Sequence, residues 1–269
     1  MSQYGFIGAG TMGGILARAL HQTAVEEKIC VSDVSASHAQ ALAEQLNGQV
    51  ADNGQIAAEC TYIFLAVKPQ VLESVLAELS PIFAQRSDAF VLVSMAAGTD
   101  ISTVRRYAGG DYPVIRIMPN TPAAVGEGMI LYTADGVSDA QLTSFLQAMR
   151  RAGRLAPIDE KLIDAASAVS GCGPAFVYLF IEALADGAVR CGLPRAAAME
   201  YAAQTLVGSA RMVLESGQHP GKLKDDVCSP GGSTIAGVCA LENRAFRAAA
   251  AEAVCAAYER TLQLGKPKG

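Results

Sequence analysis

Three glycines near the start of the chain have a spacing that strongly constrains the fold. Gly8, Gly10 and Gly13 follow the pattern G-x-G-x-x-G; a short apolar run precedes them and the helix-forming residues 15–20 follow. In this context the first glycine permits a tight turn, the second lets the backbone approach a pyrophosphate, and the third lets a helix pack on a strand. The anion then binds the free N–H groups at the helix start. The pattern therefore favours a dinucleotide site over a turn without a ligand.

Composition limits the class of protein. The chain has 269 residues, of which 51% are hydrophobic and 17% charged, so one large domain or two modest ones can each bury apolar side chains. The net charge of −5 and the lack of a basic run argue against nucleic acid as a partner. Seven cysteines without a C-x-x-C pair indicate reduced thiols in a cytoplasmic protein. We expect no signal peptide, because a predicted strand begins at once, and no metal site, because the three histidines are far apart.

Apolar runs alternate with helical patterns through the first part of the chain. The predicted strands after the glycine motif are 28–33, 62–67, 89–94, 113–118, 129–132 and 154–156. The predicted helices between them are 36–46, a short one after the 52–54 turn, one that follows residues 68–70 and runs through residue 79, 100–107 and 138–149. This alternation predicts an α/β, Rossmann-like, doubly wound sheet that forms a dinucleotide-binding domain over residues 1–157.

The pattern changes after residue 157, where no strand is predicted. Helices are expected over 161–190, 194–215, 223–227 and 241–264, which gives an all-α domain over 158–269. Residues 165–181 are small and apolar almost all round, but glycines and a proline interrupt them and acidic residues follow, which argues against a membrane span. A helix that is apolar on all sides needs burial on all sides. We therefore predict that this helix packs against a second subunit.

Asp33 follows the predicted second strand, twenty residues beyond the glycine motif. An acidic side chain there can accept a hydrogen bond from the ribose 2′-hydroxyl of NAD, and it would repel the extra phosphate of NADP. Asp33 is equally typical of a strand-end turn or a helix cap. Ser32, Ser35 and His38 offer hydrogen bonds to that phosphate. The residues leave the choice between NAD and NADP open.

Other predicted strand ends also carry candidate ligand contacts, because open α/β sheets bind ligands there. Lys68 follows the strand at 62–67 and is either a phosphate or substrate contact or an exposed loop charge. The small residues at 95–98 would let a flat ring lie close to the backbone. Two prolines in the 119–122 loop indicate a preorganised wall.

A second glycine-containing turn lies in the helical half, at Ser229-Pro230-Gly231-Gly232-Ser233-Thr234. The turn opens a helix, so the N–H groups of residues 232–234 can hold a small anion, either a carboxylate or a phosphate. The alternative is an ordinary serine or threonine helix cap. The ligand-binding interpretation gains weight because the chain already carries a dinucleotide motif and its second half has no other evident substrate site.

Five segments occur together in the order found in one enzyme family. Residues 8–13, 66–69, 116–122, 170–175 and 229–234 resemble the motifs of pyrroline-5-carboxylate reductase, and the resemblance runs from residue 3 to about residue 264. The departures are Thr11, Ser233 and Asp33, of which Asp33 bears on the choice of cofactor.

The resemblance implies reduction of the cyclic imine 1-pyrroline-5-carboxylate to L-proline, with NADP or NAD as cofactor and no metal. It implies that Thr234 is catalytic and that Gly232, Ser233 and Thr234 bind the substrate. It also implies intertwined homodimers that can assemble further. The cofactor-binding residues would be Gly8, Ala9, Gly10, Thr11, Met12, Asp33, Asn53, Ala66, Val67, Lys68, Pro69, Ala96 and Ala97.

Two other functions share the first motif. Hydroxyacid dehydrogenases of the 3-hydroxyisobutyrate type use a lysine in G-x-G-x-x-x-K, but Val177 stands at the lysine position after Gly171 and Gly173. A dinucleotide-binding regulator without catalysis would leave the second glycine turn without a role.

Overall fold

The computed structural model describes residues 3–264. The chain divides into two compact units, Met1–Cys172 with Ala257–Gly269 and Gly173–Ala256. The predicted domain boundary between residues 157 and 158 stays a prediction, although the last strand ends at Pro157.

The first unit contains one eight-stranded sheet with the strand order β3-β2-β1-β4-β5-β6-β7-β8. All neighbouring strands are parallel except β6 and β7. This arrangement confirms the predicted Rossmann-like sheet. The strands are β1 Tyr4–Ile7, β2 Ile29–Ser32, β3 Gln49–Val50, β4 Tyr62–Leu65, β5 Val91–Ser94, β6 Val114–Met118, β7 Gly128–Asp135 and β8 Gly153–Pro157.

Helices cover both faces of the sheet. They are α1 Thr11–His21, α2 Ala36–Gln45, α3 Asn53–Glu59, α4 Pro69–Gln85, α5 Ile101–Ala108, α6 Asp139–Met149 and α7 Ile163–Ser170, with 3-10 turns at Thr121–Val125, Arg150–Ala152 and Glu160–Leu162.

Successive strand residues point to opposite faces and so build two separate cores. Phe6 stacks on Phe64 with ring centroids 4.2 Å apart in one core, whereas Ile7 and Leu65 lie in the other.

Partly buried polar contacts join residues 160–170 to the sheet. The Arg116 guanidinium on β6 is 3% exposed and lies 2.7 Å from the Asp164 carboxylate and 3.4 Å from Glu160. Glu160 also accepts the Ile101 N–H at the start of α5, at 2.7 Å. The Asn120 amide donates to the Ser170 carbonyl at 2.8 Å. These contacts explain why the first unit continues past the last strand to Cys172.

The second unit is helical, and residues 160–264 contain no strand, as predicted. Its helices are α8 Gly173–Arg190, α9 Arg195–Ser216, α10 Pro220–Asp226, α11 Ser233–Glu242 and the start of α12 Phe246–Leu264. The buried residues between α8 and α9 are Ala185, Ala198 and Ala202. Large apolar side chains of these two helices stay exposed in the single chain, among them Tyr178, Leu179, Leu184, Tyr201, Val207, Met212 and Leu214.

Several predicted bounds differ from the structure, and one strand was not predicted. The expected helix over 161–190 is interrupted at Gly171 and Cys172, and the expected helix over 241–264 is interrupted at residues 243–245, where Ala245 has φ +55°. Helix α4 continues beyond residue 79 through Pro81, and the short strand β3 was not predicted.

One helical stretch among the described residues, Glu160–Arg190, has the length and apolar composition that could cross a membrane. Its most apolar window is only 11% buried within the single chain.

Candidate dinucleotide and substrate sites

The register of the sheet brings four loops to one edge. Ile7 of β1 pairs with Ser32 of β2 and Leu65 of β4, and Leu65 pairs with Ser94 of β5. The loops that follow these strands therefore start side by side at the carboxyl edge. The direction in which strands are added reverses between β1 and β4, and open α/β sheets bind ligands at such a switch point.

The three glycines of the first motif differ in the space available around them. Gly8 has φ +110°, and a Cβ added there would lie 2.5 Å from the Ala66 carbonyl oxygen. A Cβ at Gly13 would lie 2.2 Å from the Gly8 carbonyl oxygen, so α1 packs tightly on the turn. A Cβ at Gly10 would meet nothing within 4 Å. The two outer glycines are thus required by packing, whereas the middle one borders open space.

The start of α1 has the features of an anion site. Gly10 is the N-cap residue, no side chain caps the helix, and its first turn carries no acidic residue. The Gly14 N–H donates to the Gly10 carbonyl at 2.8 Å, so the N–H groups of residues 11–13 have no acceptor in the helix. These donors and the helix dipole favour a negative group in the open space beside Gly10.

Asp33 holds two loop segments together. Its Oδ2 accepts the Ala9 N–H at 2.7 Å, and its Oδ1 accepts the Ser35 N–H at 2.8 Å. The turn role that the sequence allowed is therefore present, together with a contact to the glycine motif. A carboxylate has about four lone-pair sites, so two of them remain for a ligand hydroxyl.

The remaining predicted cofactor residues lie at the same edge. The Ser32 hydroxyl donates to the Asn53 side-chain oxygen at the start of α3. Lys68 is exposed and immediately precedes α4. The structure thus places together, at the carboxyl edge, the whole predicted set: Gly8, Ala9, Gly10, Thr11, Met12, Asp33, Asn53, Ala66, Val67, Lys68, Pro69, Ala96 and Ala97. Their binding role stays a prediction.

The second glycine turn in the helical unit differs from expectation in one donor. Gly231 has φ +69°, and Gly232 is the N-cap residue of α11 with no side-chain cap. The Gly232 N–H donates to the Ser229 carbonyl at 3.0 Å, so it is already engaged within the turn. The Ala236 N–H donates to the Gly232 carbonyl at 3.3 Å.

The free N–H groups of α11 are therefore shifted by one residue. They belong to Ser233, Thr234 and Ile235, because the first-turn donors of a helix have no intrahelical acceptor. Sequence reasoning missed the Ile235 N–H, which counting from a glycine N-cap would have found. The Ser233 and Thr234 side chains are exposed, and α11 has no acidic residue in its first turn.

The strongest pKa shift lies away from both glycine turns. A hydrogen bond with Cys30, followed by burial, raises the pKa of the Cys60 thiol far above its usual range. Cys60 stands before β4, at the amino edge of the sheet. Residues 3–264 contain no group of three or more His, Cys, Asp or Glu side chains that could hold a metal ion.

Comparisons with known proteins cover nearly the whole chain. A family model for pyrroline-5-carboxylate reductase dimerisation matches residues 160–264, and one described as NADP oxidoreductase, coenzyme F420-dependent, matches residues 3–98. The chain is 42% identical to a pyrroline-5-carboxylate reductase from Synechocystis over 98% of both chains. The chain belongs to the pyrroline-5-carboxylate reductase family.

Two further matches support membership of this family. The pyrroline-5-carboxylate reductase of Escherichia coli is 41% identical over 97% of this chain and 98% of its own length. The crystal structure of Plasmodium falciparum pyrroline carboxylate reductase with NADP bound superposes with a TM-score of 0.87, at 33% identity and 98% coverage of both chains. The resemblance predicted from the five motifs is confirmed.

Proposed function

We propose that this chain reduces the cyclic imine 1-pyrroline-5-carboxylate to L-proline, the last step of proline biosynthesis, with NADH or NADPH. The observation that supports this most is full-length identity of about two-fifths to reductases of that name. The chain is therefore an oxidoreductase that acts on a C=N bond. A hydroxyacid dehydrogenase is not favoured, because Val177 stands on α8 where that class needs a lysine.

The first unit binds the dinucleotide at the carboxyl edge of its sheet. The N–H groups at the start of α1 hold the pyrophosphate in the open space beside Gly10, and Asp33 and Asn53 line the adenosine side. The segments Ala66–Pro69 and Ala96–Ala97 line the path of the nicotinamide. When bound, the reduced nicotinamide supplies a hydride to the C5 carbon of the imine.

The glycine turn before α11 binds the substrate carboxylate. The Ser233 and Thr234 N–H groups donate to it, and Gly232 contributes the N-cap conformation that orients them. The Thr234 hydroxyl is exposed and hydrogen-bonds the ring nitrogen. This assignment keeps the three predicted substrate residues but gives Gly232 a conformational role.

Reduction of this imine requires mainly that the protein position the two reactants. A protonated imine is already electrophilic, so positioning supplies most of the rate gain. Thr234 orients the nitrogen and relays a proton as the imine becomes an amine. The pKa of a threonine hydroxyl is too high for it to act as a free acid, so water completes the relay. A catalytic histidine or lysine is not required.

The family model for dimerisation supports homo-oligomerisation, and we further propose an intertwined homodimer that assembles into larger oligomers. The apolar stretch Glu160–Arg190 falls within the residues that this dimerisation model matches. A partner copy of this chain is therefore the occupant we assign to its exposed face, in place of a membrane. The seven cysteines, all among the described residues, form no disulfide, which supports a cytoplasmic protein. We assign the chain no nucleic-acid partner because its net charge is −5.

The proposed activity is tested by NADH and NADPH oxidation with pyrroline-5-carboxylate, beside a panel of hydroxyacids assayed in the oxidative direction. We expect turnover with the imine alone. Turnover with a hydroxyacid alone would replace the proposal by a dehydrogenase. Cofactor binding without turnover of either substrate class would indicate a regulator.

Replacing Thr234 by alanine tests its assigned role. We expect kcat to fall by about a hundredfold while cofactor affinity stays nearly unchanged, because general acid–base help contributes on that order. Thr234→Ser should recover most of the activity, since it keeps the hydroxyl. Ser233→Ala is the matched control, because only the N–H of Ser233 is used. Unchanged kcat in Thr234→Ala would remove this hydroxyl from the mechanism.

A further inference from the structure

Asp33 places a fixed negative charge beside the proposed adenosine ribose. It follows β2 at the carboxyl edge, and its two oxygens accept the N–H groups of Ala9 and Ser35 at 2.7 and 2.8 Å. One bond joins Asp33 to the glycine motif, and the other joins it to the residue before α2. The carboxylate therefore cannot swing away from the ligand without giving up a backbone contact.

No ion pair within residues 3–264 compensates the charge of Asp33, and the exposed Lys68 after β4 is the lysine at this edge of the sheet. Residues 29–67, which run from β2 through β4, contain no lysine or arginine. Among the described residues, no ion pair involves Asp33. Proteins that take NADP usually place an arginine near this strand end to bind the 2′-phosphate. This segment of the chain has none to offer.

The hydroxyl groups available to a 2′-phosphate are largely engaged with each other. The Ser32 hydroxyl donates to the Asn53 side-chain oxygen, and the Ser35 and Ser37 hydroxyls lie 2.9 Å apart in a mutual hydrogen bond. His38 is exposed on α2 and makes no ion pair among the described residues. The Ser32 hydroxyl and one of the Ser35 and Ser37 hydroxyls have already donated their only proton, so they could donate to a phosphate only by breaking these bonds, next to a carboxylate.

From this geometry we infer that the chain is specific for NADH over NADPH, with the Asp33 carboxylate as the specificity-determining group. Its free lone pairs accept the ribose 2′-hydroxyl, and its charge repels a 2′-phosphate. The inference rests on the cofactor site of the proposed function. The relative from Plasmodium falciparum has NADP bound in its structure, so the preference belongs to the residues of this chain rather than to the family.

Direct binding measures the preference without catalysis. The full-length protein is titrated with NADH and with NADPH in the absence of substrate, by nicotinamide fluorescence or calorimetry. We expect NADH to bind at least about tenfold more tightly, which corresponds to about 1.4 kcal/mol. Equal binding, or tighter binding of NADPH, would overturn the inference.

Two charge insertions test the cause of the preference. Val34 is fully exposed next to Asp33, so Val34→Arg adds a cation there without altering the carboxylate contacts. We expect it to tighten NADPH binding by about tenfold and to change NADH binding by less than about twofold. The matched control is Val25→Arg, at another exposed valine in the loop that leads to the amino end of β2. This control should leave both affinities unchanged, and an equal effect at both positions would contradict a local role for Asp33.

Removing the charge gives an independent measurement. We expect Asp33→Asn to reduce the ratio of NADH to NADPH affinity by about tenfold. One N–H contact is lost in this variant, so its thermal unfolding is measured beside wild type, and Val34→Arg keeps the test valid if it unfolds. An unchanged ratio in a folded Asp33→Asn protein would refute the assignment.

Steady-state assays with both cofactors separate this inference from the proposed function. Imine reduction that prefers NADPH would overturn the inference and leave the function intact. Failure to reduce the imine with either cofactor would overturn the function, while the titrations still report the binding preference.

Discussion

The two units of this chain bury very different side chains. The first unit has a core on each face of its sheet, with Phe6 and Phe64 in one and Ile63 and Leu92 in the other, each with no exposed surface. Residues 173–256 bury only three alanines. Because apolar burial is the main favourable term in folding, the first unit contains its own source of stability and the second does not.

The second unit exposes large apolar side chains in the single chain. Leu179 and Leu214 are 68% and 69% exposed, and Tyr178 is 58% exposed, in the single chain. Isolated apolar residues on a surface are common, but an extended set on neighbouring helices marks an interaction surface. The family model for dimerisation covers these residues. One unit thus contains large buried cores within the single chain, whereas the other exposes apolar side chains within the segment that the dimerisation model matches.

The largest expected effect concerns the core of the first unit. Replacing Phe64 by alanine leaves a cavity beneath the stacked Phe6 ring, and we expect the free energy of unfolding to fall by about 3–5 kcal/mol in urea titrations. Val125→Ala, at a 77% exposed position of the same unit, should change it by less than about 0.5 kcal/mol. A loss below about 1 kcal/mol at Phe64 would break the claim that this core supplies the stability.

The middle glycine separates binding from folding in the same unit. Gly10→Val has room for its side chain, so we expect a folded protein whose affinity for NADH and NADPH falls by at least about a hundredfold, or about 2.8 kcal/mol. Gly13→Val is the contrasting variant, because its Cβ would lie 2.2 Å from the Gly8 carbonyl oxygen and disturb the fold itself. Normal cofactor titration of Gly10→Val would contradict the proposed pose.

A charge on the exposed face of α8 tests the second unit. We expect Leu179→Glu to weaken self-association by about 2 kcal/mol, because a buried interface residue costs on that order when it is lost. Sedimentation at several protein concentrations measures the effect. Val125→Glu places the same charge at an equally exposed position of the first unit and should leave association unchanged. Identical behaviour of the two variants would remove the distinction between the units.

The smallest expected effect on stability comes from removing a helix cap in the first unit. Asp100 accepts the Thr103 N–H at 2.8 Å, so Asp100→Ala should lower the free energy of unfolding by about 1 kcal/mol at pH 7. Burial acts to raise the pKa of Asp100, but hydrogen bonds from Thr103 and Ser102 outweigh it and hold the pKa below its usual value.

The sign of the pH dependence follows from that lowered pKa. The folded pKa of Asp100 is below the unfolded value of about 3.9, so its contribution is present above that pH and is lost as the pH falls through the folded value. The stability difference between wild type and Asp100→Ala should therefore shrink below about pH 4. A difference that is constant from pH 7 to pH 3 would show that the cap acts without its charge.

Much of the sheet was predictable, because its buried parallel strands are continuous apolar runs with turn residues at their ends. Strand β3 was not, since Gln49 and Val50 are two exposed residues without a pattern. The break before α12 escaped prediction for a similar reason: nothing in an alanine-rich run signals that Ala245 adopts a left-handed conformation.

The sites were predictable to the level of the turn but not of the individual donor. The glycine spacing identified both helix starts, because spacing is local information. The bond from Ala9 to Asp33 joins residues 24 positions apart, and the bond from Gly232 to Ser229 depends on the shape of a turn. Such contacts follow from tertiary structure, which a single sequence pattern does not contain.

The nearly coreless second unit has a consequence during protein synthesis. A ribosome completes the first unit's sheet before most of the helical half emerges, so that sheet can become a finished structure while the rest is still being translated. The tyrosines and leucines of helices α8 and α9 would then stay exposed to solvent until another copy of the chain binds. In cells that make little of this chain, copies without a partner would persist for longer and would be exposed to chaperones and proteases.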